Sequence, residues 1–350
     1  MEIVFTNPWV PMEWIKAHGH EPRGVWSLPD SVAGAAAEGV CPFAHRLRGL
    51  ASAPRARPVV FTTACDQMRR AADAVREDQA ANIFLFNLPA TWQTPAARRL
   101  YHTEMKRLGR FLEGLGGQTP TAERLAWVMS EYDELRSSVR AFVRRKPARE
   151  SAAMLNDFFA RLSERLSNSG TVERPPGPTA LPSKTAPPVF PSSEATGTSG
   201  SAHGVPLAVV GGPLLPAQWD LFDAIESAGG CVVLNATEPG ERCLLPPLPA
   251  TFQVSSDPLL ALCDHYFDHI TDAFQRPNSR LYQWLGLQLA ERRVRGIVLW
   301  VHVGCDLWRA EAASLREAFG LPVLVLDSPE ARGGGLRDLN RLGAFLESLR

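Results

Sequence analysis

The sequence predicts an α/β protein made of two doubly wound parallel-sheet domains, with additional helices hung on the first. Three observations point there. Short continuous apolar runs recur along the chain, each followed by a stretch of helical periodicity. Strands of that kind belong to parallel sheets covered on both faces. The 350 residues are too many for one ordinary core and suit two. Between the halves lies NSGTVERPPGPTALPSKTAPPVFPSSEATGTSGSAHG, residues 168–204, with too few apolar side chains to offset the entropy of ordering. The expected organisation is an α/β domain over 1–167, a Pro/Ser/Thr/Gly-rich linker over 168–204, and a second α/β domain over 205–350.

In the first half, PVVFTT (58–63) reads as a strand, followed by a helix over 66–78 and a second strand, NIFLFNL (82–88). Long helical patterns then run over 94–115 and 120–166. In the second half the strands are LAVVGG (207–212), CVVLNA (231–236), GIVLWVHV (296–303) and PVLVLD (322–327). Helices are expected from Pro216 onward, over 257–275, over 279–293 and over 306–319. The linker has local polyproline stiffness around Pro175–Pro178.

Composition excludes several classes. Lys and Arg number 37 against 37 Asp and Glu, and no basic stripe marks a nucleic-acid or anionic-membrane surface. No apolar run reaches the roughly 20 residues of a membrane span. The opening MEIVFTNPWVPMEW has none of the basic and leucine-rich character of a signal peptide, so the expected location is the cytoplasm. There the six cysteines stay reduced and serve as small core residues or as ligands.

Three of them stand where a strand or loop opens into a helix. Cys65 ends VVFTTAC and is followed by Asp66; Cys305 ends WVHVGC and is followed by Asp306; Cys41 precedes Pro42 in EGVCPFAHRLRGL. Ligands of doubly wound sheets gather at the carboxyl ends of strands. A helix N-terminus offers free N–H groups and partial positive charge, which favour a thiolate, and the aspartates suit the first turn. The alternative is that each is a small buried hydrophobe; Cys231 and Cys263 read that way, and Cys243, in the loop PGERCLLPP, is ambiguous. Zinc sites favour paired C-x-x-C spacing, which is missing. Thiols converging from distant loops suit an iron–sulfur cluster on a preformed scaffold, and three of them leave one iron of a four-iron cube open as a Lewis acid.

Residue by residue, the chain resembles a subunit of the 2-hydroxyacyl-CoA dehydratase family, which includes the benzoyl-CoA reductase cluster subunits and the double-cubane proteins. NPWVPMEWIKAHGHEPRGVW is similar to the family's opening segment. CPFAHRLRGL and VVFTTACDQMRR are similar to its first two cysteine segments. RGIVLWVHVGCDLWRAEAASLREAFGLPVLVLD is similar to the third, and RLGAFLE to the C-terminal helix. The resemblance implies a [4Fe-4S] cluster held by Cys41, Cys65 and Cys305. It implies a low-potential electron from a separate ATP-hydrolysing activator, and a ketyl radical at the thioester carbonyl of an acyl-CoA substrate. In dehydratases the ketyl allows a 2- or 4-hydroxyl to leave; in the reductases an aromatic ring is reduced. It also implies a second homologous subunit or a homodimer. The absence of G-x-x-x-x-G-K-[ST] agrees with ATP being handled by the activator.

Glu13 of the opening motif, His45 beside Cys41, and Arg242 are the candidate substrate contacts. His302 reads as a buried, hydrogen-bonded histidine, and Trp92, Trp300 and Trp308 as core or interface residues. The chain departs from the family pattern in the second-domain loop. The usual Asp-Asp-x-Cys-x-Gly-x-Arg here reads NATEPGER, keeping Gly240 and Arg242 and losing the acidic pair and the cysteine. That loss argues against the double-cubane branch. The rival readings are a non-catalytic, cluster-bearing electron relay and a zinc-stabilised binding module.

Overall fold

The computed structural model describes residues 1–27, 39–53, 56–79, 82–168, 204–249, 257–328 and 336–350. The linker expected over 168–204 lies outside the described residues, apart from Asn168 and Gly204 at its two ends. Among the described residues there are two four-stranded parallel sheets. The first contains β1 (Glu2–Phe5), β2 (Glu21–Gly24), β3 (Val59–Thr62) and β4 (Ile83–Phe86) in the order β2-β1-β3-β4. The second contains β5 (Val205–Pro213), β6 (Gly230–Glu238), β7 (Gly296–His302) and β8 (Val323–Ser328) in the order β6-β5-β7-β8. Counted within each sheet, both orders are 2-1-3-4, the flavodoxin-like arrangement whose ligand crevice lies at the switch point between the first and third strands.

The second sheet is covered on both faces. Alternate residues point to opposite sides, so Leu207, Val209, Val298 and Trp300 enter one core while Ala208, Val210, Ile297, Leu299 and Val301 enter another. The first of these cores is closed by α7 (Asp220–Ser227) and α11 (Leu336–Ser348), the second by α9 (Ser279–Glu291) and α10 (Asp306–Phe319). Leu281, Leu285 and Leu289 fall on one stripe of α9, which is why that helix lies flat on the sheet.

The first sheet packs with α1 (Met12–Ala17), α2 (Pro42–Ala51), α3 (Asp66–Gln79), α4 (Pro95–Gly114) and α5 (Ala122–Val143) in one large core. That core also takes Leu262, Tyr266 and Phe267 of α8 (Pro258–Asp268), while Ala148 and Ala152 of α6 (Ala148–Asn168) join the second sheet. The covalent halves therefore clasp each other on both sides of the linker. Two expectations change. The helix over 120–166 is two helices, because Pro147 lacks an N–H and disfavours helical backbone in Lys146 before it. The helix over 257–275 stops at Asp268, where His269 and the turn beyond it lead to Asp272. Among the described residues no helix is long and apolar enough to cross a membrane.

Candidate functional site

Cys65 lies between β3 and α3, and Cys305 between β7 and α10. They follow the third strand of their respective sheets, so the two matched Cys-Asp junctions occupy equivalent places at the two switch points. Cys41 stands at the N-cap of α2 with Pro42 in the first turn. The three sulfurs lie within electrostatic reach of one another: Cys305 and Cys41 both oppose ionisation of Cys65, and Cys41 opposes that of Cys305. Local contacts hold them there. Gln67 accepts the Cys41 N–H on Oε1 at 3.4 Å and donates from Nε2 to the Gly39 carbonyl at 3.3 Å, tying α3 to the turn before α2. Gly304, at φ 79°, packs its backbone on Cys41, where an added Cβ would sit 3.5 Å from the amide nitrogen. The left-handed φ is the reason that a glycine precedes Cys305.

Each thiol meets the first turn of its helix. Met68 N–H donates to the Cys65 sulfur at 3.4 Å. The amides of Phe43 and Ala44 favour the Cys41 thiolate, and that of Trp308 the Cys305 thiolate, short of full capping bonds. The expectation that these helix ends lower the thiol pKa is overturned, because burial outweighs them. Burial pushes Cys41 up, Cys65 up to about 12 and Cys305 up to about 11. For Cys65 that disfavours the thiolate by about 4 kcal/mol, more than the ~0.3–2 kcal/mol a helix N-terminus supplies. In metal-free protein the three are therefore neutral thiols crowded together, and a thiophilic cation is what would make them thiolates, with release of protons. Alkylation of Cys65 and Cys305 by iodoacetamide in metal-free protein should be slow at pH 8 and accelerate above pH 10. Mass-spectrometric rates matching those of a free thiol at pH 8 would contradict this.

Among the described residues no group of three or more His, Cys, Asp or Glu side chains converges as the ligands of one metal ion would, which is what structural zinc requires. The corner ligands of a cluster stand farther apart than those of a single ion. Three soft thiols that share a field without sharing a single shell fit a thiophilic cluster in donor chemistry.

Beneath the thiols lies a buried polar layer. Arg242 is 2 % exposed. It donates from Nε to Ala236 O at 3.1 Å, from Nη1 to Thr271 O at 2.9 Å and to Asp272 Oδ2 at 2.6 Å, and from Nη2 to Gly211 O at 3.3 Å. Its guanidinium lies 4.9 Å from the Trp308 ring centroid, one turn beyond Cys305. Asp272 also accepts from Trp9 Nε1 at 3.4 Å. His302 stacks on Phe43 at 6.1 Å and bonds Pro213 O through Nε2 at 2.8 Å, so Nε2 carries the proton. Burial holds it at about 4.

The candidate substrate contacts have unexpected settings. Glu13 is 1 % exposed and bonds Arg136 and Tyr266 through its two oxygens, at 2.5 and 2.6 Å; Arg242 is enclosed as described. Neither offers a free group to a substrate, because each is consumed by partners that the tertiary fold brings from far along the chain. His45 is half-buried on α2, its N–H bonded to Cys41 O at 2.9 Å. A cleft of about 350 Å³ between Arg276, Asn278, Tyr282 and the C-terminal half of α10 lies at the opposite end of that helix from Cys305. Sequence reasoning missed Gln67 and Asp272. Gln67 was accessible, since a polar residue two places after a helix-capping cysteine points back past the cap. Asp272 had no local signal.

The fold and the site define a two-sheet α/β protein with a thiol constellation at the openings of three helices. The family model for the 2-hydroxyglutaryl-CoA dehydratase D-component matches residues 9–349, and the chain belongs to that family: it is a 2-hydroxyacyl-CoA dehydratase-type component. No curated protein matches it.

Proposed function

We propose that the chain is the iron–sulfur subunit of a 2-hydroxyacyl-CoA dehydratase-like enzyme, with Cys41, Cys65 and Cys305 holding a [4Fe-4S] cluster. The observation that carries this reading is that three thiols, two of them 240 residues apart in sequence (305 minus 65), stand at the open ends of three helices within reach of one another, Cys41 and Cys305 opposing ionisation of Cys65 and Cys41 that of Cys305. When bound, the cluster supplies one-electron chemistry, an electron received from an ATP-hydrolysing activator and passed to the thioester carbonyl of an acyl-CoA. The chain's own residues do the rest. Gln67 and Gly304 keep the three helix ends together, and Phe43, His302 and Trp308 exclude water from the buried side. Arg242 and Asp272 place paired charge beneath Cys305, and His45 is a half-buried polar side chain on α2, one turn after Cys41. Glu13 is a brace between helices. A second homologous subunit, or a second copy, completes the enzyme, and the cytoplasm keeps the thiols reduced. Residues 1–167 and 205–350 are the two lobes, joined by the linker.

Anaerobic turnover tests the proposal. Protein loaded with iron and sulfide, supplied with activator, ATP, a partner subunit and a 2-hydroxyacyl-CoA, should release the 2-enoyl-CoA. A loaded protein that accepts electrons from the activator but turns over neither that substrate nor an aromatic acyl-CoA would be an electron relay. Reduction of benzoyl-CoA alone would assign it to the reductase branch.

A further inference from the structure

Away from the thiols, the end of α8 carries two histidines four residues apart, His265 in its last turn and His269 at its C-cap. That spacing puts both side chains on one face of the helix. Their rings meet at 60° with centroids 5.0 Å apart. Two imidazoles sharing one ion at a metal–nitrogen distance of about 2.1 Å have centroids roughly 4.5–5.2 Å apart when they subtend about 90–110° at the metal. The observed separation falls in that range.

Each ring has one nitrogen committed to a carbonyl and the other open. His269 Nδ1 lies 2.7 Å from the His265 carbonyl oxygen. A carbonyl only accepts, so Nδ1 carries the proton and Nε2 keeps its lone pair. The His265 ring bonds the backbone of Pro246, which has no N–H to give, so this ring also donates to a carbonyl. His265 is 6 % exposed, and its Nε2 has no hydrogen-bond partner among the described residues. A buried polar atom without a partner is uncommon and points to a ligand. Metal-binding imidazoles hold their other nitrogen on a carbonyl or carboxylate in this way. The partial negative charge of a helix C-terminus favours a cation at the same place. Arg136 and Arg140 also face His265, but each has a carboxylate of its own, Glu13 at 2.5 Å and Asp133 at 3.8 Å. His269 is only half-buried and leaves a way in from solvent.

We propose that His265 and His269 bind one late first-row divalent cation, Zn²⁺ or Ni²⁺, through their Nε2 atoms, with water in the remaining positions. Imidazole suits these ions, whereas Mg²⁺ and Ca²⁺ prefer oxygen. No third His, Cys, Asp or Glu joins the pair among the described residues, so the ion exchanges freely, unlike one in a closed four-ligand site. The pair stands just before the turn that holds Arg242, whose guanidinium donates to Thr271 O at 2.9 Å and to Asp272 Oδ2 at 2.6 Å. Bound metal fixes the end of α8 and that turn, a stabilising role that stands apart from the cluster reading.

The experiment is calorimetric titration of the tag-free, full-length chain with Ni²⁺, with Cys41, Cys65 and Cys305 replaced by alanine so that the thiols do not compete. One ion per chain should bind, and His269→Ala should weaken that binding by at least about tenfold. No binding, or binding that His269→Ala leaves unchanged, overturns the proposal. X-ray absorption at the nickel edge of the one-to-one complex reads the ligands directly: two imidazoles with oxygen elsewhere are expected, and a sulfur shell or a single imidazole counts against the pair. Equilibrium dialysis with the cysteines intact decides independently of whether the thiol-free chain folds. There His269→Ala should bind one Ni²⁺ fewer per chain than wild type, and equal stoichiometry sinks the site.

Discussion

Alanine at Cys65 is expected to give a folded protein that cannot hold the iron–sulfur chromophore. The metal-free thiol is neutral and makes one bond to its sulfur, from Met68 N–H at 3.4 Å. Its loss costs a small side chain and one weak hydrogen bond, about 1 kcal/mol, well inside the 5–15 kcal/mol stability of an ordinary domain. Loss of one of three cluster ligands is a different matter, since little else in the donor set can replace it. Iron and sulfide analysis after anaerobic reconstitution should fall from near one cluster per chain to background, with thermal melting almost unchanged. Cys41→Ala and Cys305→Ala should do the same, while Cys231→Ala and Cys263→Ala should keep the brown colour. A Cys65→Ala protein that retains the wild-type spectrum would falsify the ligand assignment.

Glu13→Ala is expected to have the opposite character, collapsing stability whatever metal is present. Its carboxylate joins three elements: α1, α5 through Arg136 at 2.5 Å, and α8 through the Tyr266 hydroxyl at 2.6 Å. Arg136 Nη2 donates to that hydroxyl at 3.0 Å, and Tyr266 keeps its proton because burial and the neighbouring Glu13 push its pKa up. The two charged side chains are 1 % and 3 % exposed. Removing one partner strands the other charge in the interior, which costs about 3–5 kcal/mol. Urea denaturation should show a drop of that size, with Glu13→Gln intermediate because its amide oxygen can still accept. A drop below about 1 kcal/mol would mean the pair is not a structural brace and would return Glu13 to the candidates for substrate contact.

Much of this was legible in the sequence, for identifiable reasons. GIVLWVHV and PVVFTT read as strands because a strand buried on both faces needs an unbroken apolar run. Cys65 and Cys305 read as a matched pair because each such run passes through a thiol and an aspartate into helical periodicity. What escaped notice was short or defined by its partners. β2 is EPRG, with no apolar pattern; it is a strand because Glu2–Phe5 offers it a parallel ladder from Glu2↔Glu21 to Phe5↔Gly24. The break between α5 and α6 was marked by Pro147, but the periodicity on either side concealed it.

By itself the sequence determined six of the eight strands among the described residues, β1 and β2 being the exceptions, and that three thiols stand at the mouths of helices, because both follow from residue order over ten or twenty positions. Only the tertiary structure decided the charge state of those thiols and the fates of Glu13 and Arg242. Burial and ion pairing depend on which distant segments close over a group: Cys65 becomes a reluctant acid because neighbours from remote parts of the chain exclude water from it, and Arg242 becomes a brace because Asp272, 30 residues on, folds back onto it.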